Sequence, residues 1–164
     1  MRADGRRRLF WPGVGVALLV LAADQASKGY ILDQVMNPPR AVGVTDFFNL
    51  VLVWNRGVSF GLFPAEGPLG AWIWIGFAAV VTIVLLVLLW RTGSAAAAGA
   101  YGMVAGGACG NAIDRGRFGA VVDFLDFHAY GWHWPAFNVA DSAITVGVAV
   151  LLLLSLFGRA DAPR

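Results

Sequence analysis

From Leu69 to Trp90 the chain runs 22 residues without a charged side chain, with Trp72 and Trp74 at one end and Trp90 followed by Arg91 at the other. A helix of that length crosses the ~30 Å hydrocarbon core of a bilayer. Tryptophans at both ends form the belt expected at the two membrane interfaces. Backbone in lipid has no water to bond to, so the rest of such a chain must form further helices or fold outside the hydrocarbon layer.

The remaining apolar stretches fit that frame. Met1 to Arg8 carries four arginines, and an apolar run of 15 residues follows from Leu9 to Ala23. A basic segment before such a run also opens a secretory signal peptide. Here the apolar character returns at Tyr30, Ile31 and Leu32 after Asp24, Gln25, Ser27 and Lys28, so an uncleaved span over 9–32 is expected. Ala95 to Ile113 is a helix of another kind: Gly102, Gly106 and Gly110 recur every fourth residue, giving a smooth face for close approach. It is expected at the centre of the bundle. Asn138 to Phe157 begins polar and ends in a leucine run.

These features predict a mainly α polytopic membrane protein, one domain of 164 residues, with four transmembrane helices over 9–32, 69–90, 95–113 and 138–157. Hydrophobic residues make up 59% and charged residues 13%, against about 25% charge in soluble domains. The segment AVGVTDFFNLVLVW is rich in β-branched and aromatic residues, which predicts a small extracytoplasmic β-sheet on the membrane surface over 40–63. The net charge of +2 resides in arginines near the chain ends, an orientation signal rather than a nucleic-acid surface. With both termini cytoplasmic, Arg91, Arg159 and Arg164 fall on the cytoplasmic side too. The single cysteine, Cys109, excludes an intrachain disulfide and reads as a small packing residue.

Polar residues then concentrate on the opposite face. Between Gly110 and Ser142 lie four carboxylates, two asparagines and two arginines. Ionisable groups at membrane depth cost about 2.5–3.5 kcal/mol each on insertion scales, which makes them functional candidates. Asn111 and Asp114 are three apart at the end of the third helix, and Asn138 and Asp141 three apart at the start of the fourth, so each pair shares a helical face. Asp24 and Lys28, four apart, can neutralise one another on the first helix. Asn55, Arg56 and Gly57 read either as a tight turn or as a substrate- or headgroup-binding group.

Two carboxylates in a poorly solvated site cannot both ionise and share a proton, so that one can activate water while the other polarises a carbonyl. Asp141 is a strong member of such a dyad because its neighbours Ala140, Ser142 and Ala143 are small. Asp114 is followed by Arg115, a salt-bridge partner that favours a structural role; Asp123 has no such neighbour, and Asp126 is the weaker candidate in the same setting. Spacing alone does not choose the second member.

DQASK in the first helix, NRGVSF after the strands, GNAIDR followed by GAVVDF, and FNVADSAI resemble, in this order, the motifs of the lipoprotein signal peptidases, also called signal peptidase II. The resemblance covers nearly the whole chain, and VSF departs mildly from the usual small pair before the phenylalanine. It implies a membrane aspartic endopeptidase of the bacterial inner membrane that removes signal peptides from diacylglyceryl-modified prolipoproteins, cutting before the lipid-bearing cysteine. By the same matching, Asp123 and Asp141 are the catalytic pair. Asp24, Lys28, Asn55, Gly57, Asn111, Asp114, Arg115, Asn138 and Ala140 are supporting positions, with Arg115 paired to Asp114 and the two asparagines Asn111 and Asn138 orienting the carboxylates.

The expected partners are lipid-modified prolipoproteins and membrane lipids, with no cofactor, no metal, no nucleic acid and a monomeric state. Two other readings compete. A transporter or proton-relay subunit also uses intramembrane carboxylates, but spreads them through the bilayer. A metal site from Asp123, Asp126, His128 and His133 would need a ligand spacing that HAYGWHW lacks. The roles of Asp126, His128 and His133 stay unassigned.

Overall fold

The computed structural model describes residues 3–57 and 68–157. Four helices and a small sheet make up the fold. α1 (Ala3–Tyr30) is prolonged by a π-helical turn over Ile31–Val35, closed by the Met36 N–H on the Ile31 carbonyl at 2.8 Å. Strands β1 (Val42–Thr45) and β2 (Phe48–Asn55) follow, then α2 (Pro68–Arg91), α3 (Ala95–Phe118), β3 (Val121–Ala129), β4 (Trp132–His133) and α4 (Val139–Phe157).

Three of the helical segments are long and apolar enough to cross a membrane: Arg8–Val35, Leu69–Arg91 and Val139–Phe157. Their outward side chains, among them Leu19, Trp72, Phe77, Val80 and Leu156, are exposed, as lipid-facing residues are. The segment expected to be the fourth span, 95–113, is not in that set, because alanine and glycine carry little apolar surface. Its helix instead forms the middle of the bundle, packed against α1, α2 and α4. The glycine face explains the packing. A Cβ on Gly102 would strike the Gly13 carbonyl, one on Gly106 the Ala17 carbonyl, and one on Gly107 the Ala140 carbonyl at 2.5 Å.

α3 begins at Ser94, whose hydroxyl accepts the Ala97 N–H, and runs to Phe118, five residues past the expected end at Ile113. Arg115 and Arg117 sit in its last turn, where cations suit the helix dipole, and Gly119 ends it in the left-handed conformation at φ +70°.

The sheet is antiparallel in the order β1-β2-β3-β4. The expected sheet region, 40–63, holds only half of it: β1 and β2 lie within 42–55, and 58–63 fall outside the described residues. The other two strands come from the chain after α3. β3 pairs with β2 so that Asp126 stands opposite Asn49 and Asp123 opposite Val53. Ile31, Met36, Val122 and Phe124 form the core that seats the sheet on the end of α1.

Candidate active site

The polar side chains of the site come from α1, the end of β2, α3, β3 and the start of α4. Lys28, 2% exposed in the last turn of α1, sits at the centre. Its ammonium lies 2.8 Å from Asp24 Oδ2, 2.8 Å from Asp114 Oδ2 and 3.0 Å from Asn111 Oδ1. Two carboxylates and one cation are buried together, and a charge in such surroundings persists only when paired and hydrogen-bonded. Both acids spend their remaining oxygens on backbone or amide donors. Asp24 Oδ1 accepts the Ala140 N–H at 3.0 Å, at the positive end of α4. Asp114 Oδ2 accepts the Val122 N–H at 3.1 Å, at the start of β3, while its Oδ1 accepts Gln25 Nε2 at 3.0 Å.

The expected Asp114–Arg115 pair does not form. Neighbouring residues on a helix point about 100° apart, and Asp114 turns toward α1 while Arg115 turns toward β2. Arg115 donates to the Asn111 carbonyl at 3.3 Å and to the Gly57 carbonyl at 2.8 Å. Lys28 takes the place assigned to it beside Asp114.

Asp123 and Asp141 stand one residue beyond the two anchored amides. Asn138 Nδ2 donates to Asp123 Oδ1 at 2.7 Å and Asn55 Nδ2 to Asp123 Oδ2 at 3.0 Å. Asn111 Nδ2 donates to Asp141 Oδ1 at 2.8 Å. The amides of Asn138 and Asn111 thus face Asp123 and Asp141 respectively. Asp123 is 1% exposed. Burial and the nearby Asp141 charge push its carboxyl up to about 7, against the hydrogen bonds of Asn55 and Asn138 and the charge of Lys28, which pull it down.

Two cavities meet at Asn55 and Asp141. One, of about 440 Å³, is walled by Trp134, Pro135, Ala136 and Phe137 and by Ser142, Thr145 and Val146 of α4. The other, of about 240 Å³, runs inward between α2, α3 and α4 past Phe77, Ala78, Val104 and Ala108, with Asn111 and Arg115 also on its wall. A carboxylate flanked by two largely apolar cavities suits an apolar chain laid across it.

The other candidate residues separate clearly. Gly57 donates its N–H to Asn55 Oδ1 at 3.0 Å and so belongs to the site, whereas Arg56 is exposed outside the network. Ala140 contributes its backbone. Asp126 lies apart, 5% exposed in β3, accepting from Asn49 at 2.9 Å and from His133 Nδ1 at 2.8 Å. Burial pushes its carboxyl up, but the bonds from Asn49 and His133 and the two histidine charges outweigh that and hold it below its ordinary value. His128 stacks on His133 with ring centroids 4.9 Å apart. Asp123 thus has asparagine partners and Asp126 a histidine partner, which separates the four residues of the metal reading. Gln25 was not singled out in the sequence, although it sits in DQASK beside Asp24; it bonds Asp24, the Gly110 carbonyl and Asp114. The Trp134–Phe137 wall was likewise missed, because nothing local signals that a loop will line a cavity.

Comparison with known proteins identifies the family. The family model for signal peptidase (SPase) II matches residues 16–157. The chain is 46% identical over 157 residues to a lipoprotein signal peptidase of Methylorubrum extorquens, covering 94% of this chain and 91% of that one. It is also 46% identical over 154 residues to one of Paraburkholderia phytofirmans, covering 93% and 88%. A solved bacterial membrane enzyme superposes with a TM-score of 0.78 at 25% identity over 93% of this chain and 94% of that one. Helices of membrane-spanning length, a polar network at one end of the bundle and a match over most of the sequence lead to one conclusion: the chain belongs to the signal peptidase II family of membrane aspartic peptidases.

Proposed function

We propose that this enzyme removes the signal peptide from diacylglyceryl-modified prolipoproteins, cutting before the lipid-bearing cysteine, with Asp123 and Asp141 as the catalytic pair. The observation that carries the reading is the set of asparagine N–H groups that holds these two carboxylates, one of them beside two apolar cavities. A signal peptide is itself apolar and reaches the site from the bilayer. The lipid chains on the cysteine suit the same surroundings.

In this reading the pair shares one proton at neutral pH. One carboxylate takes a proton from water as the water oxygen attacks the scissile carbonyl, while the other carboxyl protonates the carbonyl oxygen. The tetrahedral diol then collapses, the C–N bond breaks, and the nitrogen leaves as a protonated amine. No covalent intermediate forms. Arg115 and Gly57 link α3 to the chain after β2 and support the wall on which substrate lies.

The enzyme belongs in the bacterial inner membrane as a multi-pass monomer. α3 forms the fourth crossing, sheltered from lipid by its three neighbours, as its close contacts with α1, α2 and α4 support. The arginine-rich amino terminus and Arg91 occupy the ends of α1 and α2 away from the site, so the positive-inside rule puts both termini in the cytoplasm and the site at the periplasmic face. A proton relay would need carboxylates spaced along the helices, whereas Asp24, Asp114, Asp123 and Asp141 gather at one end.

Purified enzyme in detergent is to be given one precursor in lipidated and unlipidated form. The lipidated precursor is cleaved before its modified cysteine, and replacing either Asp123 or Asp141 by Asn abolishes the cut. Equal cleavage of both precursors would overturn the substrate assignment, and full activity in either variant would overturn the pair.

A further inference from the structure

Asp126, His128 and His133 take no part in the proposed chemistry, yet Asp126 is one of the buried acids of the chain. Three strands meet at its carboxyl. It accepts Asn49 Nδ2 of β2 at 2.9 Å, and His133 Nδ1 of β4 lies 2.8 Å from one of its oxygens and 3.0 Å from the other. Burial raises its pKa, but these bonds and the two histidine charges outweigh that, so at neutral pH the group is ionised and only accepts. His133 Nδ1 therefore carries the hydrogen, whichever charge the ring bears. Asp126 stands three residues from Asp123 on β3, so the two carboxyls point to opposite faces of the sheet.

His133 pairs with His128 across the hairpin and stacks its ring on that of His128. The next residue, Trp134, shares a face with Trp132, their rings 5.8 Å apart, and walls the cavity of about 440 Å³ beside Asp141. That wall, Trp134 to Phe137, hangs from two points. At its far end Phe137 donates to the Leu125 carbonyl at 3.1 Å and accepts the Leu125 N–H at 2.9 Å, and its ring stacks on Phe127. At its near end the Trp134 N–H meets the Phe127 carbonyl at 2.8 Å and, one residue earlier, the His133 side chain meets Asp126. Pro135, between the two ends, has no N–H to give.

We propose that Asp126 and His133 are positioning residues: their bond clasps the base of the β3–β4 hairpin and so sets Trp134 and the near end of the wall on which the lipidated precursor lies. The role deepens the peptidase reading and rests on it.

The clasp acts on binding rather than on the chemical step. Asp123 and Asp141 are held by Asn55, Asn111 and Asn138, and the backbone beside them by Asp114 on Val122 and Asp24 on Ala140. None of these contacts passes through Asp126 or His133. Asn138 follows Phe137, at the end of the wall that the clasp does not hold. A loosened near end therefore costs contact with the substrate and leaves the carboxylates in place, which raises KM with kcat unchanged.

The test is kcat and KM on a lipidated precursor for wild type, His133→Phe and His133→Asn. His133→Phe keeps a ring to stack on His128 but gives Asp126 no hydrogen. It should raise KM about three- to tenfold, less than the worth of one hydrogen bond to a charged group, with kcat within about twofold of wild type. His133→Asn loses the ring, but its Nδ2 is as many bonds from the backbone as Nδ1 was, so KM should return to within about twofold of wild type. An unchanged KM in His133→Phe overturns the clasp, and so does a fall in kcat alone. An equal rise of KM in both variants makes the ring contact with His128 the cause and overturns it as well. The His133 side chain is half-exposed, so neither change opens the core. Nitrogen NMR of the wild type checks the bond without substrate: His133 keeps a hydrogen on Nδ1 at neutral pH, and a ring with its hydrogen on Nε2 alone overturns the clasp. A wild type that cleaves nothing removes the peptidase reading and this role together; a wild type that cleaves, with His133→Phe at the same KM, removes the role only.

Discussion

Asp114 Oδ2 receives both the Lys28 ammonium at 2.8 Å and the Val122 N–H at 3.1 Å, so an ion pair between two helices fixes the strand that carries Asp123. Asp24 does the same for Asp141, pairing with Lys28 while it anchors the Ala140 N–H. One lysine thereby holds two carboxylates, and each carboxylate holds the backbone next to one member of the proposed pair. The supporting residues act on the site through backbone placement.

Lys28→Met leaves Asp24 and Asp114 buried with no cation, and removing one partner of a buried pair costs about 3–5 kcal/mol. Thermal unfolding in detergent should show a large fall in Tm, with cleavage lost as well. A variant that melts like wild type would show that the two carboxylates do not depend on the lysine.

Asp123 offers a prediction of opposite sign. Its folded value of about 7 lies above an unfolded value of about 3.9, so the fold favours its neutral form. That stability is complete below about pH 4 and is lost as pH rises toward 7, by about 4 kcal/mol at most. Asp123→Asn abolishes cleavage and removes this titration, so the Tm of the variant should vary less than that of wild type between pH 4 and 7. A variant whose Tm falls as steeply as that of wild type over this range would contradict the cause given for the shift.

Gly107 and Gly99 lie on different faces of α3. A Cβ at 107 would sit 2.5 Å from the Ala140 carbonyl and 2.8 Å from Ile144, whereas one at 99 meets nothing within 4 Å. Gly107→Ala should cost about 1–3 kcal/mol through overpacking and lower kcat by shifting the start of α4. Gly99→Ala should be neutral or stabilise by up to about 1 kcal/mol. Paired melting curves and cleavage rates separate the two.

Chelation supplies a further check. The donors on Asp123 and Asp141 are asparagine N–H groups, and among the described residues no group of three histidine, cysteine or acidic residues is placed to hold a metal. Cleavage should proceed at the same rate in EDTA, and a loss reversed by added zinc would contradict the metal-free mechanism.

Much was legible in the sequence because lipid imposes simple rules. Length and charge alone mark Leu69–Trp90 as a span, and the four-residue glycine period marks α3 as the helix that others approach closely. Asp24 with Lys28, and Asn111 with Asp114, follow from helical spacing. Strands after α3 were not legible, since VVDFLDFHA alternates poorly and its pairing with β2 spans some 70 residues of chain. Nor was the partner of Asp114. A helix places residues 114 and 115 on different faces, and which face meets Lys28 depends on how α3 is rotated against α1. By itself the sequence determined the helices and the first two strands, the membrane setting and the supply of carboxylates and amides, because those depend on composition and on contacts within a few residues. Only the tertiary structure decided which amide turns its N–H to which carboxylate and which acid takes the lysine, because those depend on groups brought together from α1, β2, α3, β3 and α4.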